Sequence, residues 1–222
     1  MAKTVFLTLA ALLIGFCIGL MSNVGCLGPV NTNLPPAYTA MASGSPASKE
    51  PLDLEENAPL LEQAALVTGA LQTRDYATLA TLVHPERGLL FTPYSTVDPD
   101  TDVVLTPKQV ASAPMDATLY QWGFADGSGA PISLTIPEYF DRYVYNADYA
   151  NAPIIGVDQV IGQGNALENV QDAFPGARFV EYYFPGLNPE YNGFDWCGLK
   201  LVFAPYQEEY RLIAIVHSEW TI

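Results

Sequence analysis

The residues whose types suit proton transfer are His84 and His217, the only two histidines in the chain, and Glu181, a carboxylate inside an apolar run. A catalytic acid/base pair requires the two imidazoles close together, with a nucleophile or carboxylate within hydrogen-bond reach. Glu181 lies between Val180 and Tyr182. Pointed inward, it would lose water, its pKa would rise, and it could give or take a proton near neutrality. By strand alternation Glu181 shares a face with Phe179 and Tyr183, opposite Val180, Tyr182 and Phe184. Which face is buried stays open at this level. The plainer reading is two capping or internally satisfied histidines and a surface glutamate.

Asp98, Asp100 and Asp102 alternate, as in the opening of a calcium loop. The rest of that motif fails, because Val103 stands where glycine is needed and Gln109 where the bidentate glutamate belongs. Weak calcium binding by the three carboxylates is the functional expectation, and a solvated turn is the plain one. Aromatic residues offer a different chemistry. The chain has 13 Tyr and 3 Trp. Trp122, Tyr139, Tyr143, Tyr183 and Trp220 are candidates for lining a ligand groove, since each combines an apolar body with a hydrogen-bonding tip. They serve equally well as core.

Other site chemistries find no support. There is no G-x-S-x-G elbow, no P-loop and no HExxH motif, and Gly162-Gln163-Gly164 lacks the third glycine and the lysine of a phosphate loop. No cofactor is expected. The formal net charge of −15 argues against nucleic-acid binding, because such a chain repels phosphate backbones.

The N-terminus reads as a secretory leader. Lys3 precedes an almost wholly apolar run from Val5 to Met21, which suits a signal h-region and is short for a membrane span. Val24-Gly25-Cys26 follows, so residues 1–26 are expected to be a signal peptide with a lipidation site at Cys26. Asn23 sits where such sites usually carry leucine. An ordinary secreted form and an uncleaved anchor are the alternatives. If Cys26 carries lipid, Cys197 has no partner among the remaining cysteines. If it does not, a Cys26–Cys197 bridge is possible in an oxidising compartment. The expected partners are the membrane, reached through Cys26, and a small ligand or envelope protein.

Residues 27–57 are rich in Pro, Ser, Ala, Gly and Asn and read as a flexible tether. Residues 58–222 read as one globular domain. Pro59 suits a helix N1 position, and Leu60, Leu61, Ala64, Val67 and Leu71 follow at helical spacing. Further helices are expected near 74–83, from Thr106-Pro107 and from Ile136-Pro137. Strands are expected at 88–94, 118–124, 178–184, 199–203 and 210–216, with an extended stretch at 152–161. The last two strands form the clearest hairpin. Helices first and paired strands last indicate an α+β fold, with N-terminal helices packed on a curved antiparallel sheet.

That outline resembles the NTF2-like cone, in which helices close over a bent sheet and leave a pocket. From about Leu71 the chain also resembles a group of uncharacterised bacterial exported proteins and lipoproteins. The resemblance is carried by VHPERG at 83–88, QWGFADGSGAPI at 121–132, EYFDRYVY at 138–145, FVEYYFPG at 179–186, DWCGLKLVF at 195–203 and HSEWTI at 217–222. It implies an exported single domain and supplies no catalytic residue. The functional expectation is therefore an extracytoplasmic domain that binds a small ligand or envelope component. The alternatives are an enzyme using His84, His217 and Glu181, and a purely structural envelope module.

Overall fold

The computed structural model describes residues 53–221. The leader, Cys26 and most of the expected tether lie outside the described residues. Among the described residues, no helix is long and apolar enough to cross a membrane.

The first helix, α1, spans Leu54–Gln72 and starts ahead of the expected boundary at Ala58. The Asp53 side chain accepts the Glu55 and Glu56 N–H groups, and those two glutamates add negative charge to the positive end of the helix. Pro59 is thus tolerated inside the helix rather than placed at its start, with no N–H to offer the Glu55 carbonyl. Leu60, Ala64, Val67 and Leu71 form the buried stripe, as their spacing predicts. Helix α2, Tyr76–Leu82, is capped by Asp75.

Strand β1, Leu89–Thr92, pairs antiparallel with β2, Val103–Leu105. Helix α3, Pro107–Ser112, begins at the Thr106 cap with Gln109 completing a capping box. Strands β3, Tyr120–Phe124, and β4, Pro131–Leu134, form a separate hairpin. Helix α4, Ile136–Tyr139, has the same capping arrangement from Thr135 and Glu138, then widens into a π turn at Phe140–Val144. The remaining elements are β5, Ile154–Val157; α5, Val170–Ala173; β6, Arg178–Phe184; β7, Cys197–Tyr206; and β8, Glu209–Glu219.

Six strands make one curved sheet in the order β2-β1-β8-β7-β6-β5. The sheet is mixed, which corrects the expectation of a purely antiparallel one. Strand β1 runs parallel to β8, with Leu90 opposite Ala214 and Thr92 opposite Val216. A parallel pair needs a long connection, and everything from Pro93 to Glu208 lies between these two strands. A bulge between Val202 and Phe203 interrupts the β7–β8 ladder, and such an insertion bends a strand.

Both faces of this sheet are covered. On one face Phe91, Val180, Tyr182, Leu199, Leu201 and Ile215 join the helices and the β3–β4 hairpin in the main core. On the other, Leu90, Phe179, Val202, Ala214 and Val216 pack against Val170, Phe174 and the segment leading to them. Double coverage explains why β7 is buried continuously from Cys197 to Ala204. The question left open for Glu181 resolves in an unexpected way: its face and the opposite face are both interior.

Candidate functional site

A cleft of about 300 Å³ opens beside the C-terminal end of β1. Its walls come from five segments: Thr92 to Thr96 at the end of β1 and beyond, Asp102 before β2, Trp122 to Asp126 at the end of β3, Asn165 and Ala166, and Thr221. The segment after Ala166 is stitched to the loop after β1, and Asn165 to the C-terminal segment. Thr96 Oγ1 donates to the Leu167 carbonyl at 2.8 Å. The Asn169 side chain both accepts from the Val97 N–H and donates to the Val97 carbonyl. Asn165 Nδ2 donates to the Thr221 carbonyl at 3.1 Å.

Of the five aromatic candidates one lines this cleft, and two more pack in a row behind it. Trp122 lines it, its indole N–H held by the Leu134 carbonyl at 2.9 Å. Tyr139 stacks on Trp122 with ring centroids 3.9 Å apart and planes 15° from parallel. Tyr143 follows at 5.1 Å from Tyr139 and touches the Tyr94 ring edge-on. The Tyr139 hydroxyl is buried behind Trp122 without a hydrogen-bond partner. Tyr183 and Trp220 lie elsewhere: Tyr183 packs on Trp196, and Trp220 meets Phe194 on the surface.

Asp102 is the titratable group of interest. Burial, reinforced by the nearby charge of Asp98, pushes its carboxyl up to about 6, although its Oδ2 accepts the Asp98 N–H at 2.8 Å. The expected calcium loop does not form. Asp98 accepts the Asp100 N–H, Asp102 turns back onto the Asp98 backbone, and no group of three acidic, histidine or cysteine side chains converges among the described residues. The Asp98 and Asp102 carboxylates cap their own turn, as short acidic side chains do in loops.

The acid/base trio is not assembled either. His84 N–H pairs with Leu212 near one end of β8, and its Nδ1 accepts the Glu86 and Arg87 N–H groups. His217 lies further along β8 on the main-core face, in ring contact with Tyr143. At about 3.4 Å per residue, five residues of strand separate the two regions by roughly 17 Å. His217 is itself a strut. Its Nδ1 must donate to the Pro93 carbonyl at 2.9 Å, so Nε2 faces the Asn146 amide at 3.3 Å as an acceptor. Burial holds its pKa down at about 4, so it is neutral at neutral pH. Glu181 points to the opposite face of the sheet.

There Glu181 belongs to a group that sequence reasoning missed. Lys200, paired with Glu181 across the β6–β7 ladder, is completely buried. Its Nζ lies 2.7 Å from Glu168 Oε2, 3.7 Å from Glu181 Oε1 and 2.8 Å from Ser218 Oγ, which also accepts from Ser95. Glu181 additionally accepts the Ile161 and Gly162 N–H groups at 2.6 and 3.2 Å. Burial raises its proton affinity, while Lys200 and the two N–H groups oppose that rise. Together these contacts clamp residues 161–168 onto the sheet and so fix the Asn165 and Ala166 wall of the cleft. Gly162 is required by space: a Cβ there would sit 2.6 Å from the Tyr183 ring and 2.8 Å from Trp196. The one legible signal for this clamp was a single lysine within the apolar run Leu199–Phe203. Cys197 is a free, buried thiol on the main-core side.

No protein-family model matches the chain, and no curated protein does. Among solved structures, it is similar to a candidate calcium/calmodulin-dependent protein kinase II association domain from Xanthomonas campestris, at 12% identity and a TM-score of 0.31, over 80% of this chain and 92% of that one. It is also similar to a candidate dehydratase of the NTF2-like family from Streptomyces avermitilis, at 15% identity and a TM-score of 0.28, over 74% and 97%.

Two outcomes follow from this geometry. Lys200→Met should lower stability by about 3–5 kcal/mol in urea denaturation, because it strands buried carboxylates. Adding Glu168→Gln and Glu181→Gln should recover much of that loss. Asp102→Asn should act in the other direction. A carboxyl whose native pKa is about 6 against an ordinary 3.8 costs stability as it ionises, from about pH 4 upward and fully above about pH 6. After discounting for its remaining solvent contact, Asp102→Asn should stabilise the domain by about 1–2 kcal/mol at pH 8 and by almost nothing at pH 4.

Proposed function

We propose that this protein is an exported domain, tethered to a membrane by lipid on Cys26, that binds a small ligand in the cleft walled by Tyr94, Asp102, Trp122 and Ala166. The observation that carries the binding reading is the cleft itself. It is concave, its walls come from segments far apart in sequence, and it joins aromatic surface to a carboxylate of raised proton affinity. We read the fold as an NTF2-like cone, supported by the helices on one face of a bent mixed sheet. Support for export comes from the apolar run Val5–Met21 and the Val24-Gly25-Cys26 sequence. The acidic charge suits an envelope domain that stays soluble and depends on an anchor to remain near anionic lipid.

A melting screen of the mature chain against small envelope metabolites tests the binding reading, because a ligand of the native state raises the midpoint. At least one compound should raise it in the wild type and fail to do so in Ala166→Trp, which fills the cleft. Equal shifts in both proteins would place binding elsewhere. For the anchor, a lipid precursor fed to cells should label the wild type and not Cys26→Ser. A wild type that never labels removes the lipid tether from the proposal.

A further inference from the structure

We infer that the cleft is built for a small organic ammonium ion, seated between the Asp102 carboxylate and the aromatic walls. This rests on the ligand-binding reading above and names the chemistry of the ligand. Two carboxylates, Asp102 and Asp126, are among the lining residues, which include no Lys, Arg or His. Asp102 takes part in none of the ion pairs among the described residues, and no basic side chain contributes to its electrostatic surroundings. Folding therefore leaves a partly desolvated negative charge with one backbone N–H and a like-charged neighbour, Asp98, for company.

The possible ligand classes separate on this point. An anion would meet two carboxylates and a chain of net charge −15. An uncharged apolar ligand would strip more water from Asp102 and give nothing in return, which is costly for a carboxylate. A metal ion would find too few ligands, since no suitable group of three exists among the described residues. An ammonium group answers both demands of the site. It neutralises Asp102, and it can lie beside the rings of Tyr94 and the exposed Phe124, whose ring quadrupoles attract cations. The volume of about 300 Å³ limits the ligand to a small amine or quaternary ammonium. Like charge over the rest of the chain draws cations toward the cleft.

The test is calorimetric titration of the mature chain at pH 8 with choline, with n-butylammonium, with choline's uncharged carbon isostere 3,3-dimethylbutan-1-ol, with propionate and with Ca²⁺. At least one of the two ammonium ions should bind with a dissociation constant of about 1 mM or tighter, and at least tenfold more tightly than the isostere. Asp102→Asn should weaken that binding at least tenfold, and Ala166→Trp should abolish it. Because Asp102→Asn is expected to be the more stable protein at this pH, lost binding there cannot come from unfolding; its melting point verifies this. If the isostere or propionate binds as well as the ammonium ions, or Asp102→Asn binds them unchanged, the ligand class is wrong while the cleft remains a binding site. Displacement of the ammonium by equimolar Ca²⁺ would overturn the inference in favour of a metal site. If no probe binds, the ammonium inference falls, while the cleft reading stands or falls with the melting screen described above.

Discussion

Lys200 holds the outer layer of this domain in place. A lysine ammonium with no solvent exposure is stable only when opposite charge and hydrogen-bond acceptors surround it, and here Glu168, Glu181 and Ser218 do so. Glu181 in turn grips the backbone at Ile161 and Gly162. One strand residue thereby ties down a segment with almost no regular structure of its own. That segment covers the second sheet face, meets the loop after β1, and completes the cleft. Replacing Lys200, Glu168 and Glu181 together by apolar residues need not cost stability, whereas removing one partner alone does, so the group acts more through geometry than through net energy.

The two ends of the site are held on different principles. On the clamped side two carboxylates share one buried ammonium, and each charged group has a partner. On the open side Asp102 is left uncompensated, and the Tyr139 hydroxyl behind Trp122 has no partner. Natural sequences tend to keep such local violations where function requires them, at some cost in stability. His217 belongs with the matched groups. Its imidazole is fixed between Pro93 and Asn146, and what it contributes is the position of the loop that leads into Tyr94.

Local signals in the sequence were faithful where one face of an element meets the core. The stripe of α1, the Thr106 and Thr135 caps and the hairpin of β7 and β8 all stand close to where their patterns put them. The start of α1 was misread because Pro59 imitates an N1 residue, while the stronger signal, Asp53 followed by Glu55 and Glu56, sat in the supposed tether. Strands β2 and β4 and helix α5 are three or four residues long, too short to show a period. Glu181 could not be placed because alternation separates two faces only when one is wet. The cleft was legible in part: Trp122, Tyr139, Tyr143 and Asp102 were singled out, but for other reasons, since nothing local announces that their segments converge. Tyr94, Ala166 and Lys200 depend on contacts far apart in sequence.

Strand β8 has a temporal consequence. It is last in chain order yet sits inside the sheet, between β1 and β7, and its partner β1 was laid down more than a hundred residues earlier. Until β8 is available, β1 and β2 are a stray hairpin, β7 is an open edge, and neither core can close. Such long-range closure is slow and late. For a domain threaded through a membrane before folding, as proposed above, that lateness would be useful, because the sheet cannot close before β8 arrives.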